Sequence, residues 1–325
     1  MLGSRYNNMG KEFRSAPREK PSSNTVLLVG RFVGLVILIL CGSGGGQDQV
    51  PSEAKFTFVR AWTGKEGNQT PLRNPSGICI DSEDIVYVAD TGNHRIAVFD
   101  TAGRLSREMG GLGVGAYQLN RPSDITAKSG LDLLVADTGN DRIQRFNRRL
   151  GYISTVRSSD AFTEPISVDV STFGDFFILD GSRKQIVKID ALGSPLLVFG
   201  GIESGDGELD DPKDVSVWSQ ESIWVADGVS GNVVQFDLFG NFLARYHLGD
   251  GIDVRGVAAD ADGVWIAAHD RVGFLSYRGK VDWYFGQDHL RKMSLVAADD
   301  VAVSQDQLVL LDATNGAVAW FRLKK

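Results

Sequence analysis

One short motif recurs six times along this chain, and that periodicity constrains the fold more than any other feature. The two clearest copies are Val86-Tyr87-Val88-Ala89-Asp90-Thr91-Gly92-Asn93-His94-Arg95-Ile96 and Leu133-Leu134-Val135-Ala136-Asp137-Thr138-Gly139-Asn140-Asp141-Arg142-Ile143. Looser copies centre on Asp180, Asp227 and Asp312, and the fifth has Ala268 in place of the aspartate. Between those six positions the steps are 47, 43, 47, 41 and 44 residues. A unit repeated at such a period buries its apolar face against its neighbours, so the copies fold as one body.

Each copy holds the same ingredients. In the first four copies a Pro-bearing turn, such as Asn74-Pro75-Ser76-Gly77 or Arg121-Pro122-Ser123-Asp124, opens a short alternating strand. An apolar strand follows, then the Asp-Thr-Gly-Asn turn, then a strand closing on an aromatic: Phe99, Phe146, Phe236, Tyr277 or Phe321. A Gly-rich stretch such as Met109-Gly110-Gly111-Leu112-Gly113 ends the copy. Short strands bounded by Gly, Asn, Asp and Pro read as hairpins, and the 38 glycines supply the turns. No apolar stripe of helical period is long enough to argue for a helix. Four strands per copy predict an all-β, six-bladed β-propeller of four-stranded antiparallel blades over residues 56–325.

Two details refine that expectation. The innermost strands carry a small residue at one matching position, Cys79, Thr126, Asp169, Ser216, Ala258 and Ala302, as six sheets converging on an axis require. The sixth copy stops after its third strand, while Phe56-Thr57-Phe58-Val59-Arg60-Ala61-Trp62 resembles a fourth. The N-terminal strand is therefore expected to complete the last blade.

The charge is split along the chain. Residues 1–50 stand at +3, which leaves −10 on the remainder of a chain whose total is −7. A body that acidic is a poor match to a phosphate backbone, so no nucleic-acid partner is expected. Residues 1–41 read as an export signal or membrane anchor: a basic leader precedes the apolar run Phe32–Leu40, too short to span a bilayer but suited to a secretory h-region. Leu38-Ile39-Leu40-Cys41 resembles a bacterial lipobox, making Cys41 the lipidation candidate, although Leu40 departs from the small residue usual there. Residues 42–55 form a Gly-rich, polar tether. The expected location is extracytoplasmic, in the cell envelope, either membrane-tethered through a lipidated Cys41 or an N-terminal anchor or else secreted or periplasmic, with the propeller monomeric.

The repeat unit resembles the NHL repeat, through Pro75-Ser76-Gly77 and Val88-Ala89-Asp90-Thr91-Gly92-Asn93-His94-Arg95-Ile96. The resemblance implies the fold but not one function, since the family includes protein-binding domains, RNA-binding domains and a zinc lyase acting on peptidyl-hydroxyglycine. The leading expectation is a non-catalytic propeller that binds an envelope protein, peptide or glycan on the face formed by the Pro turns and Asp-Thr-Gly-Asn turns. The alternative is a metal-dependent hydrolase or lyase, lactonase-like or hydroxyglycine-lyase-like, at the channel mouth. No catalytic residue is assigned, because His94, His247, His269 and His289 do not recur at equivalent positions.

Candidate binding residues on that face are Arg73, Arg121, Asp124, Arg183, Lys213, Asp214, Arg255, His269 and Asp300. The residues opening the inner strands are Gly77, Asp124, Ser167, Asp214, Gly256 and Asp300, so alternate blades place a carboxylate at the mouth. Asp124, Asp214 and Asp300 are accordingly a candidate Ca²⁺ site, calcium taking 6–8 oxygen ligands. The repeat aspartates themselves read as turn chemistry.

Overall fold

A computed structural model of the chain describes residues 56–63, 70–128, 132–157, 161–218 and 222–324. The export, tether and lipidation features expected over residues 1–55, Cys41 among them, lie outside the described residues.

Six four-stranded antiparallel sheets follow one another around an axis. Blade 1 is β2 (Gly77–Ile80), β3 (Val86–Asp90), β4 (Arg95–Phe99) and β5 (Leu105–Gly110). Blade 2 is β6 (Asp124–Thr126) to β9 (Tyr152–Val156), and blade 3 is β10 (Pro165–Val170) to β13 (Pro195–Phe199). Blade 4 is β14 (Pro212–Trp218) to β17 (Phe242–His247), and blade 5 is β18 (Val254–Ala259) to β21 (Val281–Phe285). Blade 6 contains β22 (Asp300–Ser304), β23 (Gln307–Asp312) and β24 (Ala317–Leu323). Its fourth strand is β1 (Phe56–Trp62), paired antiparallel to β24 with Phe56 opposite Leu323 and Trp62 opposite Val318.

The N-terminal strand thus closes the ring, and aromatic packing reinforces the seam. Trp62 meets Phe99 of blade 1 at 5.0 Å between ring centroids. Phe56 meets Phe285 of blade 5 at 4.4 Å. Each second strand is buried along its length because neighbouring blades cover both of its faces. Burying an apolar side chain of that size contributes about 1.5–3 kcal/mol.

Two local readings are corrected. Tyr277 does not plug blade 5: Leu275 pairs with Val264 in the core position, and Tyr277 sits half-exposed in the next turn. The connection before blade 6 also contains a short helix, α1 (Gln287–Lys292), which carries His289 and buries Leu290 between blades 5 and 6. Six residues make too few turns to show a period in sequence.

Candidate functional site

The repeat aspartates tie two loops of one blade together. Asp90 is fully buried; its Oδ1 accepts the Arg73 N–H at 2.7 Å, and its Oδ2 accepts Asn93 Nδ2 at 2.8 Å and Arg95 Nε at 2.6 Å. Asp137 does the same with the Asn120 N–H at 2.7 Å, Asn140 at 2.9 Å and Arg142 at 2.6 Å. Asp180, Asp227 and Asp312 likewise accept N–H groups of the preceding Pro-turn segment. Turn chemistry is therefore half of their role. The other half is to hold the Pro turn and the Asp-Thr-Gly-Asn turn side by side on one face, as Gly92 N–H to Arg73 O at 2.8 Å also does.

Around the axis, the six strand-opening residues form one ring. Asp124 Oδ1 accepts its neighbour Ile125 N–H at 2.7 Å, and Oδ2 accepts the Val168 N–H of blade 3 at 2.9 Å. Asp214 repeats the clasp with Val215 at 2.8 Å and Val257 of blade 5 at 2.9 Å. Asp300 repeats it with Val301 at 2.7 Å and Ile78 of blade 1 at 2.8 Å. The intervening joints rely on small residues. Ser167 Oγ lies 2.7 Å from both Asp124 Oδ2 and Asp214 Oδ1. At Gly77 a Cβ would stand 2.6 Å from the Asp124 backbone, and at Gly256 it would stand 2.4 Å from Asp300 Oδ1. No side chain larger than hydrogen fits at those two joints.

This geometry does not fit the calcium expected at Asp124, Asp214 and Asp300. All six carboxylate oxygens already accept N–H or O–H groups. Among the described residues no group of three or more His, Cys, Asp or Glu is placed to hold a metal ion. The three carboxyls instead crowd one another. Burial, reinforced by the charge on Asp124, pushes Asp214 up to about 7. Burial also raises Asp124, and burial followed by the charges on Asp214 and Asp124 raises Asp300 well above the carboxylate range. Below them the axis holds a cavity of about 50 Å³, lined by Cys79, Thr126, Asp169 and Ser216. That is room for a few waters rather than an organic ligand. Lys128 closes its other end, donating to Asp169 and to Ser216 Oγ at 2.9 Å. Burial and the surrounding aspartates keep the Cys79 thiol protonated.

Of the cations singled out from sequence, several are committed within the fold. Lys213 pairs with Asp211 at 2.7 Å, Arg183 donates to Ala161 O at 3.0 Å, and Arg255 bridges Asp253 and Asp299. His269 approaches Asp299 at 3.7 Å, too long for a hydrogen bond, and its Nδ1 has no hydrogen-bond partner. Arg73 and Arg121 differ. Both are exposed on adjacent blades, and among the described residues no ion pair engages either guanidinium. Arg121 holds a left-handed backbone at φ 51°, fixed where its N–H donates to His94 Nδ1 at 3.0 Å. Such a conformation is uncommon for a long side chain.

One part of the face was not foreseen. In the loop between β5 and β6, Leu112 and Val114 are exposed although the backbone beneath them is fixed, while half-exposed Tyr117 packs its ring on Phe146 and Tyr152 and accepts the Tyr152 N–H at 3.1 Å. Buried Arg142 donates to Val114 O at 2.7 Å, Gly115 O at 2.9 Å and Gln118 O at 2.8 Å. The signal for that lock was present in sequence: Arg95 and Arg142 each stand five residues after the repeat aspartate.

The NHL-repeat profile matches residues 72–99, which cover the first Pro turn through β4. The chain carries an NHL repeat. The chain is 39% identical over 69 residues to RING finger protein nhl-1 of Caenorhabditis elegans, covering 21% of this chain and 7% of that protein. It is 28% identical over 130 residues to Protein brain tumor of Drosophila melanogaster, covering 39% and 12% respectively. The propeller therefore spans a small part of the curated relatives it matches. Its fold is shared with virginiamycin B lyase from Staphylococcus aureus at a TM-score of 0.58, with 12% identity over 83% of this chain and 100% of that one.

Proposed function

We propose that this NHL-repeat propeller is a non-catalytic binding module, and that it takes a protein segment on the Pro-turn face over blades 1 and 2. One observation carries the reading: exposed Arg121 and the exposed apolar pair Leu112 and Val114 project from a single loop whose backbone is locked from below. Arginine anchors on a preorganised backbone are among those in which protein interfaces concentrate their binding energy. Arg73 extends the patch onto blade 1. The axial cavity is too small and too fully hydrogen-bonded to compete as a substrate site. The extracytoplasmic setting belongs to the same proposal and rests on the basic and apolar leader.

A photo-cross-linking side chain placed at position 116, exposed in the same loop, in the full chain tests the reading. It is expected to capture a discrete protein, and capture is expected to fail when Leu112 and Val114 are both replaced by serine. Capture that ignores those replacements would remove the face from consideration.

A further inference from the structure

The opposite face of the propeller carries the turns that join first to second and third to fourth strands. The third-to-fourth turns share one construction. In each, the first residue's side chain or carbonyl holds the turn, as Asp190 Oδ1 does by accepting the Leu192 and Ser194 N–H groups at 2.9 and 2.8 Å. Asp237 does the same with Phe239 and Asn241, both at 2.9 Å. The third residue of the turn is thereby pushed to the apex. In blades 1 to 5 it is Ala102, Arg149, Leu192, Phe239 and Arg278. The turn itself thus tolerates alanine or arginine, and nothing in its geometry requires Leu or Phe. Yet Leu192 is 91% exposed and Phe239 is 78% exposed, on neighbouring blades.

The first-to-second turns repeat the anomaly on blade 3. At its apex stands Phe173, 66% exposed, where blades 1, 5 and 6 have Glu83, Asp262 and Asp306. Three large apolar tips therefore cluster on blades 3 and 4, flanked by the exposed Arg149 and Arg278.

The chain also enters the fold on this face. Phe56 pairs with Leu323 where the other blades have their third-to-fourth turn. Between Phe56 and the apolar run ending at Leu40 lie residues 41–55, a length that reaches at most about 50 Å.

We propose that this face seats on a lipid bilayer, with Leu192, Phe239 and Phe173 entering the boundary between headgroups and acyl chains. Separate apolar apices flanked by Arg149 and Arg278, with Asp190 and Asp237 held by their own turns' N–H groups, suit that boundary, where apolar groups bury and guanidinium groups stay among the headgroups. The apices are protrusions, whereas a peptide ligand would call for a groove. The opposite, Pro-turn face is left free for its partner, and the lipid assignment stands without that reading.

The test uses the full chain on phosphatidylcholine–phosphatidylglycerol vesicles containing lipids brominated along the acyl chain. Phe239→Trp is expected to fluoresce with a blue shift and strong quenching beyond the wild-type tryptophan background, while Val229→Trp on the other face is not quenched. Replacing Leu192, Phe239 and Phe173 together with serine is expected to lower vesicle partitioning at least tenfold in a chain with an unchanged melting temperature. Equal quenching at positions 239 and 229, or none at 239 in vesicle-bound protein, would overturn the proposal. So would a blue shift of Phe239→Trp that follows protein concentration without lipid, which would assign the tips to a second copy of the chain.

Discussion

The Asp300 carboxylate of the last blade accepts the Ile78 N–H of the first at 2.8 Å, so the ring is fastened at its axis as well as at its rim. The two fastenings differ in kind. At the rim, a whole strand of one end of the chain completes a sheet of the other; at the axis, single hydrogen bonds link neighbouring blades.

The axial clasp should be measurable by mutation. Asp300→Ala leaves two buried N–H groups, those of Ile78 and Val301, without their acceptors. Each such loss costs about 1–3 kcal/mol. For the two together, urea unfolding is expected to show a cost of about 2–6 kcal/mol, with Asp300→Asn milder because its amide oxygen still accepts one of the two and the charge is gone.

The same ring predicts an unusual pH dependence. Asp214 has a folded value of about 7 against 3.8 for the free group, and Asp124 and Asp300 are raised beside it. Between those values the folded state binds more protons than the unfolded one, so unfolding free energy falls as pH rises from about 4 to 7. Asp100 and Asp237 are lowered by turn hydrogen bonds and oppose this at the acid end. The difference between wild type and Asp214→Asn isolates the ring: the variant should lose less stability across that window. Identical slopes would mean that the carboxyls are not crowded.

Removing residues 56–62 opens blade 6 and uncovers Phe99 and Trp320, the partners left behind in the aromatic seam that Trp62 completes. The melting temperature should drop sharply. Trp62→Ala alone should cost about 3–5 kcal/mol, as large core truncations do. A midpoint unchanged by the deletion would contradict the closure.

Much of the fold was legible because its determinants are local and repeated. The Asp-Thr-Gly-Asn turn, the small inner-strand residues and the unfinished sixth copy each appear in the sequence at their own place. The roles of the aspartates were harder to read. Asp90 answers an N–H 17 residues earlier, and Asp300 answers one 222 residues away. Alternate-blade spacing did bring Asp124, Asp214 and Asp300 to one mouth. The spacing gave no indication that backbone N–H groups of the next blade would occupy their oxygens. Tyr277 misled because an aromatic at roughly the right step lies two residues past the core position held by Leu275.

Loop rigidity and binding should be separable. Asp137→Ala abandons buried Arg142, and breaking a buried pair costs about 3–5 kcal/mol. Arg142 then loosens its hold on Val114 and Gly115, which amide exchange in residues 111–118 would report as faster. Unchanged protection there would show that the loop is held by something else.

The most direct measurement is the affinity of the partner captured at the Pro-turn face for the Arg73→Ala, Arg121→Ala double variant. Neither guanidinium supports the fold, so the melting temperature should match wild type while binding weakens by at least tenfold, about 1.4 kcal/mol. Wild-type affinity in the folded double variant would contradict the assignment of that face as the binding surface.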